Sequence, residues 1–228
     1  NGTAQDKMRE LESLMQGDRL YFSNMLDIRD YGAFFNDMPD GASIIICGGD
    51  GTLNRFLNDT EDIRPDCDIY YYPSGSGNDF ARDIDAERGA SPVLINRYIE
   101  RLPKICVNGK EHRFINGIGY GIDGYCCEKG DELRGKGNGE VNYTAIAIKG
   151  LLFHYKPTGA TITVDGVEHR FEKVWLAPTM IGRYYGGGMM PMPEQDRLNG
   201  DGAVSVTVYY GSGKLKSLAV FPSIFKGE

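Results

Sequence analysis

Residues 44–54 read Ile44-Ile45-Ile46-Cys47-Gly48-Gly49-Asp50-Gly51-Thr52-Leu53-Asn54. The first four residues form a short, wholly apolar run, which is typical of a strand buried on both faces in a parallel sheet. Glycines follow at once, and residues 52–58 are predicted to form a helix. Glycine lets backbone N–H groups approach a phosphate closely, and a helix N-terminus adds the positive end of its dipole. The stretch therefore predicts an α/β layer with an anion-binding loop.

Asp50 is unusual in a loop that binds only anions, because its carboxylate repels phosphate. Its presence is explained if a Mg²⁺ ion or a reacting hydroxyl lies between the carboxylate and the phosphate. The same residues also fit a tight turn in which Asp50 caps a helix. If the loop binds phosphate, the Thr52 hydroxyl is a candidate hydrogen-bond donor to it. The residues alone leave both interpretations open.

A second strand–loop–helix pattern follows at Ile69-Tyr70-Tyr71-Tyr72, a loop over residues 73–77, and a short helix that begins at Asp79. Two glycine loops at the same edge of one sheet form the walls of a crevice. Ser76 is a candidate hydrogen-bond partner for phosphate or ribose, and Asn78 is a candidate to tie the two loops together. Asp79 fits either a helix cap or a ligand contact. Together the two loops predict a nucleotide crevice.

The first hundred residues carry two further helix signals. Apolar residues recur at helical spacing over 5–15, and Asp30 is a candidate cap for a helix that contains Phe34 and Phe35. We place a boundary near residues 95–103, which gives domains over 1–100 and 101–228.

After about residue 100 the pattern becomes mainly antiparallel β. Asn108-Gly109 and Asp165-Gly166 each separate two strand-like runs, as in tight hairpins. Alternating valines over residues 203–210 predict one half-buried strand. A helix from about Val141 to Phe153 interrupts this pattern.

Composition excludes several classes. The net charge of −7 argues against broad nucleic-acid binding. No apolar run is long enough to span a membrane, and no signal peptide is present at the start. The five cysteines show no CxxC, which fits a reducing cytosol, and the three histidines lack metal-ligand spacing. The start at Asn1 and the end at Glu228 suggest that pieces of the fold are missing.

Five segments in order carry a resemblance to a known family: residues 48–54, 75–82, 114–123, 186–191 and 198–202. Together they resemble the diacylglycerol kinase catalytic domain family, which includes bacterial lipid kinases and the sphingosine and ceramide kinases. The resemblance covers nearly the whole chain. It implies a Rossmann-like α/β N-terminal domain of the NAD-kinase and lipid-kinase type and a C-terminal β-sandwich domain. It also implies ATP in the cleft between them and γ-phosphoryl transfer to a lipid hydroxyl.

The resemblance also assigns site residues. ATP binding is assigned to Gly48, Gly49, Asp50, Gly51, Thr52, Leu53, Asn54, Arg55, Ser76, Gly77 and Asn78. A structural Mg²⁺ is assigned to Leu198, Asp201 and Ala203, partly through backbone carbonyls. Without the family, residues 199–202 read as a β-turn before a strand. As the catalytic residue we name Asp50, which would orient metal-bound water or polarise the acceptor.

The chain departs from the family pattern at three places. Arg55 stands where the family usually has Glu. Asn1-Gly2 resembles a remnant of the family's first phosphate loop. The family's proposed base lies in an Asp-Gly-Glu motif near the C-terminus, and residues 165–168 resemble it only superficially, because they fit a hairpin turn.

The resemblance implies a lipid acceptor at the membrane surface, and the acidic net charge implies that membrane contact is made through a local patch. Candidates for contacting it are Ile181, Tyr184, Tyr185 and the segment Lys129–Gly139, although the aromatic residues fit ordinary packing as well. A homodimer is the default assembly. The alternatives are an NAD-kinase-like nucleotide kinase, a non-catalytic nucleotide-binding regulator, and a structural α/β protein without a ligand.

Overall fold

The computed structural model describes residues 4–135 and 143–228. The chain forms two compact units, one of residues up to Ile115 together with Arg197–Gly202, and one of Asn116–Asp196 together with Ala203–Glu228. The domain boundary near residues 95–103 stays a prediction.

The first unit contains five helices and five strands among the described residues. The helices are α1 (Ala4–Leu14), α2 (Tyr31–Asn36), α3 (Asp50–Asp59), α4 (Asp79–Asp83) and α5 (Asn96–Ile99). The strands are β1 (Ile44–Gly48), β2 (Ile69–Pro73), β3 (Val93–Leu94), β4 (Lys104–Val107) and β5 (Lys110–Arg113). The strand–loop–helix pattern predicted twice from the sequence is present at β1–α3 and at β2–α4.

The sheet of the first unit has the order β1-β2-β3, with β1 parallel to β2 and β3 antiparallel to β2. The prediction that β1 is buried on both faces is wrong. Ile46 is buried, Ile44 and Ile45 are only half-buried, and Cys47 is exposed. The reason is its place in the described sheet: β1 lies at the edge and β2 in the middle.

Helix α3 packs on this sheet through an apolar stripe. Leu53, Phe56 and Leu57 recur at helical spacing and are buried against Ile46 and Tyr71. Burying a leucine or phenylalanine side chain stabilises a fold by roughly 1.5–3 kcal/mol. The stripe therefore fixes the start of α3 relative to the end of β1, where the first glycine loop lies.

The hairpin β4–β5 turns at Asn108-Gly109, as predicted. Both residues have positive φ angles, 51° and 78°, which is the requirement of a type I′ turn. Asn58 of α3 holds the end of the hairpin, because its side chain accepts from the Arg113 N–H at 2.8 Å and donates to the Arg113 carbonyl at 3.0 Å.

The described residues of the second unit form mainly antiparallel strands together with several helices. Its strands are β6 (Gly117–Ile118), β7 (Thr158–Val164), β8 (Val167–Leu176), β9 (Thr179–Met180), β10 (Ser205–Val206) and β11 (Tyr209–Tyr210). Its helices are α6 (Ile122–Gly135), α7 (Tyr143–Lys149), a π-helical turn (Gly150–His154), α8 (Lys214–Val220) and a 3₁₀ turn (Phe221–Phe225). Residues 141 and 142 of the predicted helix lie outside the described residues.

Two antiparallel sheets form in this unit, with orders β10-β9-β6 and β11-β8-β7. Asp165-Gly166 forms the tight turn between β7 and β8, with φ angles of 49° and 81°. The single strand predicted over residues 203–210 is wrong. Ser205–Val206 pairs with β9 and Tyr209–Tyr210 with β8, so the segment passes from one sheet to the other.

Within residues 4–135 and 143–228, no helix has the length and apolar character needed to cross a bilayer.

Candidate functional site

The first glycine loop joins β1 to α3. Gly49 is the N-cap of α3, and its carbonyl accepts from the N–H groups of Thr52 and Leu53 at 3.0 and 3.1 Å. Gly51 lies in the first helical turn, is exposed, and has nothing within 4 Å of the position that a Cβ would take. Because N–H groups in the first turn have no intrahelical acceptor, the backbone at Gly51 is open to an anion.

The two glycine loops touch each other through their backbones. A Cβ on Gly75 would lie 2.5 Å from the Cα atom of Gly49, and a Cβ on Gly49 would lie 3.1 Å from the Cα atom of Gly75. Real Cβ atoms do not approach another backbone this closely, so the contact requires glycine in the second loop. The glycines therefore bring the two loops together as well as leaving room for a ligand.

Asp50 joins the two loops by hydrogen bonds. Its Oδ2 atom accepts from the Asp79 N–H at 2.9 Å, and its Oδ1 atom accepts from the Phe80 N–H at 2.7 Å. Asp79 and Phe80 are the first residues of α4, whose N–H groups need acceptors from outside the helix. The Asp50 carboxylate thus caps a helix, as one of the two sequence interpretations held, and the helix that it caps is α4.

Asn78 does not tie the loops together. Its Oδ1 atom accepts from the Gly75 N–H at 3.0 Å, and its Nδ2 atom donates to the Gly75 carbonyl at 2.7 Å. The residue has a positive φ of 51°, which asparagine tolerates better than most residues. Asn78 therefore closes its own loop and is the N-cap residue of α4, while Asp79 occupies the first helical position and is buried.

A tyrosine anchors the end of β1. The Tyr71 hydroxyl donates to the Gly48 carbonyl at 3.0 Å, and the Ser74 N–H donates to the same carbonyl at 2.9 Å. Burial, helped by the nearby Asp50 carboxylate, raises the pKa of Tyr71 well above its usual value, so the hydroxyl keeps its proton and remains a donor. The first loop is held on the side of the sheet by this residue and on the side of α4 by Asp50.

Three of the predicted nucleotide-binding residues make contacts within the first unit. Leu53 is fully buried in the core, so only its backbone is available to a ligand. The Asn54 carbonyl accepts from the Asn58 side chain at 2.8 Å. Arg55 forms an ion pair with Asp59 at 3.2 Å on the exposed face. In the second loop, Ser76 is exposed and Gly77 is half-buried.

The predicted metal positions lie in and around a tight turn. The Gly202 N–H donates to the Asn199 carbonyl at 3.4 Å, and β10 begins three residues later, so the predicted turn before a strand is present. Leu198 and Asp201 are exposed, and the Ala203 carbonyl accepts from Gln195 Nε2 at 3.0 Å. Among the described residues, no group of three His, Cys, Asp or Glu side chains has the arrangement of a metal site. The carbonyl-based Mg²⁺ site remains a prediction.

A buried ion pair that the sequence did not indicate fixes this turn in the first unit. Arg197 Nε lies 2.5 Å from Asp83 Oδ2, and the two side chains are only 4 % and 2 % exposed. Arg197 also donates to the Ile115 carbonyl at 2.9 Å and lies over the Phe80 ring. Phe80 and Asp83 belong to α4, so the turn is anchored on the helix that Asp50 caps.

The second unit contains a buried carboxyl group beside a tyrosine. The Tyr185 hydroxyl donates to the Asp123 oxygens at 3.2 and 3.4 Å. Burial raises the pKa of Asp123 to about 6, although the Tyr185 hydrogen bond acts in the opposite direction. Gly119 makes room for it, because a Cβ there would lie 2.4 Å from the Asp123 Cβ atom. The sequence analysis gave Asp123 no role of its own within the segment 114–123, whereas the structure shows its carboxyl group buried beside Tyr185.

The predicted lipid contacts have mixed surroundings. Ile181 is buried, Tyr185 donates to Asp123, and Tyr184 lies beside the Arg183 guanidinium. Of the segment Lys129–Gly139, residues 129–135 belong to α6 and residues 136–139 lie outside the described residues. A cavity of about 410 Å³ opens beside α6, lined by Tyr125, Lys129, Glu132, Leu133, Ile146, Lys149 and His154.

Comparison with known proteins assigns both halves of the chain. Residues 1–104 match the diacylglycerol kinase catalytic domain, and residues 116–228 match the YegS C-terminal NAD kinase beta sandwich-like domain. The chain belongs to the diacylglycerol kinase catalytic domain family. The predicted family and the predicted fold, an α/β domain followed by a β-sandwich-like domain, are confirmed.

Individual members of the diacylglycerol kinase family are similar at modest identity. A diacylglycerol kinase of Mycobacterium tuberculosis is 27 % identical over 192 residues, covering 81 % of this chain and 60 % of that protein. The crystal structure of a diacylglycerol kinase from Bacillus anthracis is 20 % identical, with a TM-score of 0.53, covering 81 % of this chain and 60 % of that one. The chain thus spans about 60 % of the length of these relatives, and the structural likeness concerns the fold.

Proposed function

We propose that this member of the diacylglycerol kinase family acts as an ATP-dependent lipid kinase, which transfers the γ-phosphoryl group to the hydroxyl of diacylglycerol or a similar lipid. The observation that carries the proposal is the pair of glycine loops, which touch at Gly49 and Gly75 and are joined by Asp50. Both follow neighbouring parallel strands, at the edge of the sheet where nucleotides bind in α/β domains.

The chain's own groups suit the phosphates of ATP. The open backbone at Gly51 and the start of α3 would receive a phosphate, and the hydroxyls of Thr52 and Ser76 would donate to the nucleotide. Leu53, Asn54 and Arg55 belong to the same segment but would contribute through the backbone or the local charge.

The oxygen donors at residues 198–203 fit Mg²⁺, which prefers carboxylate and carbonyl oxygen. Leu198 and Ala203 would contribute carbonyl oxygens and Asp201 its exposed carboxylate. This ion would be structural; a separate Mg²⁺ bound with the nucleotide would neutralise the charge that develops on the phosphates.

In the reaction, the lipid hydroxyl oxygen forms a bond to the γ-phosphorus while the bond from the γ-phosphorus to the β–γ bridging oxygen breaks. ADP leaves, and the hydroxyl proton passes to a base that the described residues do not identify. Asp50 connects the second loop to the first by its hydrogen bonds, and its carboxylate would orient metal-bound water or polarise the acceptor. Positioning of this kind supplies most of the catalysis in phosphoryl transfer.

The test is transfer of radiolabel from γ-labelled ATP to a panel of lipids in mixed micelles with Mg²⁺, using the complete gene product. Labelled lipid supports the proposal and names the acceptor class. Labelled NADP⁺ from NAD, with no labelled lipid, would move the assignment to a nucleotide kinase. ATP binding without any transfer would move it to a non-catalytic regulator.

The same proposal includes a cytoplasmic protein that contacts the membrane only peripherally, as a homodimer. The support for membrane contact is the lipid acceptor that the family implies, and the homodimer is the default assembly of such proteins.

A further inference from the structure

A basic and apolar surface lies on the helical part of the second unit. It consists of Lys149 at the end of α7, Phe153 in the π-helical turn, and Lys214, Leu215 and Lys216 at the start of α8. Phe153 is 72 % exposed and Leu215 is 80 % exposed, the largest values among the large apolar side chains described. We call these five residues the lysine–apolar face.

The two segments that form this face are packed together. Lys214 Nζ donates to the Leu152 carbonyl at 2.9 Å, and Trp175 Nε1 holds the chain before α8 by donating to the Ser212 carbonyl at 2.8 Å. Leu151 and Leu218, one from each segment, turn inward onto the same apolar cluster. With the inward positions occupied by these leucines, Phe153 and Leu215 point outward from the same packed pair of elements.

The charge of these segments is opposite to that of the chain. Residues 143–156 and 211–227 contain five lysines and no aspartate or glutamate, whereas the net charge of the whole chain is −7. Glu132 is the acidic residue in the lining of the cavity beside α6, and Lys129 forms an ion pair with it at 2.8 Å. The face is therefore locally positive although the protein is acidic.

We propose that the lysine–apolar face docks this protein on an anionic lipid bilayer, an inference that rests on the proposed lipid kinase function. Lysines near a bilayer are attracted to anionic headgroups, and exposed Phe and Leu side chains insert at the boundary between headgroups and acyl chains. Nucleic acid would match the positive charge alone but would leave Phe153 and Leu215 in water. A bilayer matches both the charge and the apolar side chains.

The experiment is co-sedimentation of the complete gene product with vesicles, either pure phosphatidylcholine or phosphatidylcholine with phosphatidylglycerol. We expect binding to the anionic vesicles, weaker binding to the neutral ones, and a decrease with added salt. Lys149→Gln/Lys216→Gln should weaken binding about 25-fold, since each lysine contributes roughly fivefold. Phe153→Ser/Leu215→Ser should weaken it at least about tenfold.

Leu26→Ser and Lys110→Gln are the matched controls, because both residues are exposed and belong to the first unit. They should bind vesicles as the parent protein does. Equal binding by the parent protein and by Phe153→Ser/Leu215→Ser would overturn the inference, as would equal losses in the controls. Unfolding midpoints would show that each variant is folded, which substitutions at exposed positions should allow.

Turnover separates this inference from the proposed function. On a short-chain diacylglycerol dispersed in micelles, Phe153→Ser/Leu215→Ser should phosphorylate as fast as the parent protein, and on vesicle-embedded diacylglycerol it should be at least tenfold slower. If the parent protein phosphorylates micellar lipid but the variants bind vesicles as well as the parent protein does, the docking face is refuted and the kinase function is not. Vesicle binding that depends on the face, without labelling of any lipid, would support the docking face and refute the kinase.

Discussion

At the scale of single residues, Asp50 has a structural role, and we propose a functional one for it. Its two oxygens accept from the Asp79 and Phe80 N–H groups, so Asp50→Asn would turn an amide NH₂ toward a backbone N–H. We expect the free energy of unfolding to fall by about 2–3 kcal/mol, the cost of a lost hydrogen bond to a charged group. Phosphoryl transfer should fall by orders of magnitude, because the second loop loses its hold on the first.

Urea unfolding and micellar turnover check both parts. Asp59→Asn is the control, since Asp59 is exposed on the same helix and pairs only with Arg55 among the contacts described above. Unchanged stability of Asp50→Asn would contradict the capping role, and near-normal turnover would rule out the functional one.

Two glycines of the paired loops should respond in opposite ways to alanine. Gly51→Ala adds a Cβ in open space within a helix, so we expect up to about 1 kcal/mol of added stability together with weaker ATP binding. Gly75→Ala places a Cβ 2.5 Å from the Gly49 Cα atom and should destabilise by about 1–3 kcal/mol through overpacking. Thermal unfolding and ATP titration distinguish the two; tighter or equal ATP binding by Gly51→Ala would argue against phosphate at this loop.

At the scale of elements, the anchor of the turn 199–202 on α4 depends on Arg197. Arg197→Leu removes the guanidinium that pairs with the buried Asp83 carboxylate, which should cost about 3–5 kcal/mol. Arg55→Leu is the matched control, because its pair with Asp59 is exposed and should contribute only about 0–1 kcal/mol.

The double variant Asp83→Leu/Arg197→Leu tests the physical reason. It removes both charges, so it should be more stable than Arg197→Leu alone in urea unfolding. A double variant that is less stable than the single one would show that packing, and not the unpaired charge, causes the loss.

The elements that could be predicted from sequence are those fixed by neighbouring residues. The hairpin turns at Asn108-Gly109 and Asp165-Gly166 need positive φ angles that these residues adopt readily. Asp30 caps α2 by accepting from the N–H of Ala33, three residues further along the chain. The apolar run 44–47 predicted a strand correctly but its burial wrongly, because the position of β1 at the sheet edge is set by pairing with residues far along the chain.

The linking contacts of the site could not be predicted, because they join distant residues. Asp50 and Asp79 are 29 residues apart, Asp123 and Tyr185 are 62 apart, and Asp83 and Arg197 are 114 apart. Each side chain reads locally as an ordinary polar residue of a helix or loop. The glycine motifs indicated that a crevice exists, but only the fold shows that Asp50, and not Asn78, joins its two loops.

At the scale of the whole molecule, one buried group should shape the dependence of stability on pH. Asp123 has a pKa of about 6 in the folded protein against 3.8 for the ordinary side chain. Between these values the folded state holds a proton that the unfolded state has released. The contribution of Asp123 to stability is therefore fully present below pH 3.8 and is lost as the pH rises through about 6.

Asp123→Asn removes this titration while keeping an oxygen that accepts from the Tyr185 hydroxyl. We expect the parent protein to lose about 2 kcal/mol of stability relative to the variant between pH 4 and pH 7, following from a shift of about two pKa units. Urea unfolding of both proteins across that range isolates Asp123, because every other carboxylate is common to the pair. A constant difference in stability across the range would mean that Asp123 ionises at its ordinary pKa, so that burial beside Tyr185 does not hold its proton.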